Sequence, residues 1–210
     1  SGGSGGTANK GFQGGGGGSP TKGTPSCKPA KAAFLTIPVP VVHWSNIVEY
    51  SVYVVKTLKD DLMDGWGHPT NHNERGKLLK TLFEASEANR IPIVLISGDV
   101  HCASCYVLTD RTNYPHARIV QITSSAVSRK PVPSAGTIAF AKTGLMTRRT
   151  NDGKGKEVKT SVHMEQRFAK AGVVNFATIT AKGKDLKVTF YYHKKGDEHK
   201  VHTTVVDVMK

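Results

Sequence analysis

Ser97-Gly98-Asp99-Val100-His101-Cys102 ends the apolar run Ile91–Ile96 with a carboxylate, an imidazole and a thiol, and Cys105 follows three residues later. Carboxylate oxygen with imidazole nitrogen suits Zn, Fe, Mn and similar divalent ions. On an extended chain, residues two apart point the same way, so Asp99 and His101 could reach one ion. Gly98 removes a Cβ where the backbone turns or where another backbone comes close. Cys102 and Cys105 form a Cys-x-x-Cys pair beside a His. Read as half a zinc site or a redox pair, it lacks a second pair to complete it. The alternative is one buried thiol and one packed beneath the site. The only other cysteine is Cys27, and three cysteines make no disulfide framework.

Side chains at such a site need a scaffold that holds them. Ile91–Ile96 reads as a strand buried on both faces, in the middle of a sheet with helices outside. Ligands in open α/β sheets sit beyond the carboxyl ends of the strands, where Asp99 and His101 fall. Before the strand, Leu78, Leu79, Leu82, Phe83 and Ala85 recur at helical spacing. Asn71 and Glu74 have the spacing of a capping box, and Asn89-Arg90 with Pro92 end the helix. Within Asn46–Trp66, a helix is expected over the second half. Ala33–Ser45 is broken by Pro38 and Pro40 and reads as an edge strand or extended loop.

Ala117–Ser128 reads as a strand running into a Ser-rich turn. The Ser124 and Ser125 hydroxyls, on the same side as Asp99, could touch phosphate. Neither is a nucleophile by pattern, since no Gly-x-Ser-x-Gly surrounds it. Residues 129–160 are rich in Pro, Gly, Lys and Arg and read as a long loop. Asn175–Thr180, Leu186–Tyr192 and Val201–Val208 alternate as three antiparallel strands. The order of elements predicts an α/β layered domain with a mixed sheet. Arg75 reads as a surface or ion-pair residue. His43, His68, His72, His116, His163, His193, His199 and His202 read as surface residues, with His163 the best candidate for a further contact.

The chain has 210 residues, a net charge of +13 and a pI near 9.7. Such a field draws anions, and a binding module for an anionic partner is the reading that competes with catalysis. The charge is diffuse, with no Arg-rich run and no basic stripe interleaved with aromatics. Residues 1–33 carry half of the 22 glycines and little that can be buried, which predicts a flexible tail ahead of a folded part over 34–210. No apolar stretch reaches the ~20 residues of a membrane-spanning helix. No targeting signal is visible, and the compartment stays open.

"DDLMDGW", "HNERGKLLKTLFEASEANRIPIVLISGDVHCA", "IVQITSSAVSRKPVP" and "VVNFATITAKGKDLKVTFYY" together resemble the C-terminal half of PhoD-like (alkaline phosphatase D-like) metallophosphatases, within the calcineurin-like metallophosphoesterase superfamily. The resemblance covers roughly residues 36–192. It implies part of a four-layer α/β/β/α sandwich with a metal centre at the sheet edge. It implies Fe, Ca, Zn or Mn held by Asp99 and His101, and phosphate-ester hydrolysis by a metal-activated water. It also places Trp66 and Asp64 near the pocket. The family's upstream ligand motifs are not found before residue 36. The resemblance thus implies a C-terminal fragment whose site another segment or chain completes, since two ligands cannot close a site.

Overall fold

The computed structural model describes residues 30–45, 65–125, 127, 130–150, 154–182, 185–194, 196–197 and 200–207. Most of the expected flexible tail, the helix expected upstream of Trp66, Asp64 and His199 lie outside these residues.

Among the described residues nine strands form two sheets. The six-stranded sheet has the order β1 (Ala33–Thr36), β2 (Ile93–Ser97), β4 (Tyr114–Ser124), β3 (Ala103–Asp110), β6 (Glu157–Lys170), β5 (Gly144–Arg149). β1, β2 and β4 run parallel; β3, β6 and β5 join by antiparallel pairing, so the sheet is mixed. The expected edge strand is β1, and Pro38 and Pro40 follow it, where no ladder donor is lost. The three-stranded antiparallel sheet is the expected meander: β7 (Val173–Lys182), β8 (Asp185–Lys194) and β9 (His202–Asp207).

The helix α1 spans His72–Asn89 and stops where Arg90 turns left-handed, at φ 54°. The expected capping box does not form: Asn71 makes no side-chain cap and its amide donates to the Gly65 carbonyl instead. Glu74 pairs with Lys77 at 2.7 Å. Ser86, buried in the helix, donates to the Ile91 carbonyl at 2.7 Å and accepts from the Arg118 amide at 3.0 Å, pinning the last turn to β4.

Two hydrophobic cores lie on opposite faces of the large sheet. Leu79, Leu82 and Phe83 of α1 pack on Ile93, Leu95, Leu108 and Ile119. On the other face Val94, Cys105, Val107 and Val120 pack on Val188, Phe190 and Val206 of the small sheet. The described residues thus form three layers, helix–sheet–sheet. The α/β reading and the mixed sheet hold; a second outer helical layer, as a four-layer sandwich requires, is not among the described residues. No helix among them is long and apolar enough to cross a membrane, which does not bear on a β-barrel.

One strand was not expected, and one stretch and four side chains depart from expectation. β3 is buried along nearly its whole length, so it has no polar alternation to mark it. Residues 129–160 are not one loop: they contain a 3-10 turn at Ser134–Ala139, all of β5 and the start of β6. β5 closes one edge of the sheet, and charged residues such as Arg148 and Arg149 are what exposed edges carry. The surface assignments of His43, His68 and His72 also fail, as does the surface alternative for Arg75, because all four are buried. Arg75 donates to the Thr147 carbonyl at 2.8 Å, tying α1 to β5.

Candidate functional site

β2 ends at Ser97, whose hydroxyl lies 2.9 Å from that of Thr123 on β4, so the two parallel strands finish level. Beyond that rim the chain does not stay extended. Val100 N donates to the Gly98 carbonyl at 2.8 Å, closing a three-residue γ-turn with Asp99 at its apex and φ 65°. His101 also has positive φ, 51°. Two consecutive-but-one non-glycine residues in left-handed backbone are costly, and such conformers cluster at functional sites. The expectation that an extended segment turns both side chains the same way is therefore corrected. Asp99 and His101 are presented by a tight turn, with Asp99 exposed and His101 half-buried.

Several bonds fix this turn from outside. Gly98 N donates to the Pro38 carbonyl at 3.3 Å, and the His101 carbonyl accepts from Val132 N at 3.1 Å. The end of β4 lies alongside: Ser125 N donates to the Cys102 carbonyl at 3.2 Å, and Cys102 N donates to the Ser125 hydroxyl at 3.3 Å. A Cβ on Gly98 would sit 3.8 Å from the Ser124 carbonyl oxygen, an ordinary van der Waals contact, so the expected close backbone approach is not what calls for glycine here.

Ser124 and Ser125 therefore share this end of the sheet with Asp99 and His101. Their hydroxyls are engaged within the protein. Ser124 Oγ donates to Asn175 Oδ1 at 2.9 Å, and the Asn175 amide donates to the Ser125 carbonyl. Asn175 is buried on β7 and fastens the small sheet to the rim of the large one. An asparagine at an inward position of an alternating strand was the signal that could have picked it out. Trp66 packs against the core beneath α1.

The two cysteines separate. Cys105 is buried in the core between the sheets, and Cys102 packs with Phe140 and Ala171. Burial pushes the Cys105 thiol up to about 12 and raises Cys102 further. A thiolate is the form that binds metal or attacks disulfides, so neither thiol is set up for that chemistry. His43 Nε2 lies 3.7 Å from Cys102 Sγ, and burial lowers the imidazole to about 3. The pair is neutral on both sides, unlike an activated thiolate–imidazolium dyad. His43 Nδ1 is buried without a hydrogen-bond partner among the described residues, and its ring packs against Trp44 and Phe140.

As a metal site, the turn supplies one carboxylate and one imidazole, donors of the right chemistry. Among the described residues no group of three His, Cys, Asp or Glu is placed to hold an ion. The donor set fits as part of a centre, not as a closed one.

A sheet rim where a parallel strand hands an Asp and a His to solvent is an arrangement suited to hydrolytic metal chemistry. The family model for PhoD related phosphatase matches residues 46–151, half of the chain, and this span contains the Gly98–His101 turn. The chain belongs to the PhoD related phosphatases. No curated protein and no solved structure matches it.

Proposed function

We propose that the chain carries part of the active site of a metal-dependent phosphoesterase, in which Asp99 and His101 hold a metal ion and the substrate is a phosphate ester. The observation that carries this reading is the family match across the turn that presents these two residues at the end of β2. A bound metal ion would polarise the phosphoryl oxygens and lower the pKa of a coordinated water.

The chain's own contribution is positional. The backbone of the γ-turn is held by Pro38 and Val132 at the sheet rim, which supports a role for it in presenting Asp99 and His101. The His43–Trp44–Phe140 aromatic group and buried Cys102 back the rim with apolar packing. The positive net charge concentrates anionic substrate. Further ligands would come from another segment or another chain. Identity of the ion (Fe, Ca, Zn or Mn), monoester or diester preference and roles for Trp66, Asp64, Ser124 and Ser125 in substrate contact all belong to this proposal.

A second reading is favoured by the incomplete donor set: a non-catalytic basic module that binds an anionic partner. Metal analysis of the purified chain, with hydrolysis of an aryl phosphate monoester and diester in added Mn, Fe, Zn or Ca, separates the two. Turnover that is abolished by Asp99→Ala supports the phosphoesterase. Absence of both metal uptake and turnover, with salt-sensitive polyanion binding, supports the module.

A further inference from the structure

At the opposite end of β3 from the Asp99–His101 turn, the face of the large sheet that bears Val107 continues beyond the small sheet's core. There it opens into a cleft of about 360 Å3. β3 has eight residues, so its two ends lie roughly 23 Å apart at strand rise. Arg111, Arg118 and Arg167 line the cleft, together with His163 and Thr109; among its described lining residues Glu165 is the one carboxylate.

Arg167 is placed there by a fault in the ladder. Cys105 pairs with Phe168 but Tyr106 pairs with Gln166, so Arg167 is the extra residue of a β-bulge on β6. Bulges re-aim side chains and recur beside functional sites. Arg167 Nη2 pairs with Glu165 at 2.9 Å, while its Nε is buried with no hydrogen-bond partner among the described residues. A buried donor left unmet is costly, and an oxyanion that reached it would relieve that cost.

We propose that this cleft is a second oxyanion site, taking a phosphate group, either orthophosphate or the phosphate of a small monoester. Guanidinium forks match tetrahedral oxyanions in geometry as well as charge. Glu165 pairs with Arg167, and Arg111 adds a further cation to the lining, so the cleft favours an anion. The cleft has room for a phosphate with a small organic group. The site is independent of any chemistry at Asp99, and it stands whether or not the chain is a hydrolase.

The test is calorimetric titration of orthophosphate into the purified chain, in EDTA and at constant ionic strength, so that no metal-bound phosphate contributes. Saturable one-site binding is expected. The double variant Arg111→Gln/Arg167→Gln should weaken it about tenfold or more, and Asp99→Ala should leave it unchanged. Lys182→Gln/Lys187→Gln, on exposed positions of the small sheet, should also leave it unchanged. Arg111 is exposed in the β3–β4 turn, so Arg111→Gln alone, with an unchanged circular dichroism spectrum, gives a readout free of folding defects; a loss of several fold is expected. Phenyl phosphate titrated in parallel identifies the source: tighter binding than orthophosphate assigns an esterified ligand, weaker binding assigns free phosphate. Absence of saturable binding, indifference to both arginine variants, or equal weakening by the lysine pair would overturn the site in favour of the diffuse field of a basic protein.

Discussion

Asp99 sits at the apex of a γ-turn at φ 65°, a conformation in which glycine is at ease and aspartate is not. Function and stability should therefore oppose each other at this residue. Asp99→Gly is expected to raise stability by about 1 kcal/mol, read as a higher denaturation midpoint, and, on the proposed metal role, to lose any metal uptake. Asp99→Ala and His101→Ala should each lower any hydrolysis by at least ~100-fold, since even outer-shell partners of metal ligands cost 10–100-fold. A glycine variant that is less stable than the parent would contradict the strained turn. His72 offers a pH test. Its Nε2–H donates to the Gly67 carbonyl at 2.8 Å, and its Nδ1 accepts from Arg149 N at 2.7 Å, so the neutral ring is fully used. Burial lowers it to about 4, from an ordinary value of 6.5. Between those values the unfolded chain binds a proton that the folded chain refuses. Stability is complete above pH 6.5, falls as pH drops towards 4, and levels below; buried His43 acts with the same sign. Thermal midpoints at pH 7 and pH 5 check this, and His72→Gln should shrink the difference.

β2 is the element on which the candidate site depends. Leu95 on one face and Val94 on the other are both fully buried, so the strand is clamped between the two cores. Leu95→Ala should cost 2–5 kcal/mol, as large-to-small changes in sealed cores do, and a denaturant titration would show it. A cost under 1 kcal/mol would mean the strand is not clamped. Ser86→Ala should cost about 1–3 kcal/mol by leaving the Arg118 amide unmet inside the α1–β4 contact. β2 was legible because an apolar run bounded by Pro92 and Gly98 announces a strand buried on both faces. α1 was legible through its Leu and Phe spacing. β3 and β5 were not: one has no alternation to read, and the other hides in a stretch of Pro, Gly and basic residues. Gln121 shows what pattern reading misses. Its amide accepts from Val42 N at 2.9 Å and donates to the Val42 carbonyl at 2.6 Å, so one side chain stands in for a neighbouring strand. Those partners are 79 residues apart.

For the molecule as a whole, the positive charge predicts that encounter with anionic substrates slows as salt rises, because exposed charges are screened within ~8–10 Å at ordinary ionic strength. Rates of phosphate-ester hydrolysis measured across a salt series check this, and a flat series would remove the electrostatic contribution. From the sequence alone came the α/β class, the principal helix and strand, the closing meander, the family resemblance and the placing of Asp99 and His101 at a strand end. These are local signals: spacing of apolar residues, punctuation by Gly and Pro, and short motifs held in order. Tertiary structure decided the rest. It put His43, His68, His72 and Arg75 inside, parted Cys102 from Cys105, engaged the hydroxyls of Ser124 and Ser125, bent the Asp99–His101 segment out of extension, and gathered Arg111, Arg118 and Arg167 around one cleft. Burial and hydrogen bonding of this kind are made by residues distant in the chain, and no window along the sequence contains both partners.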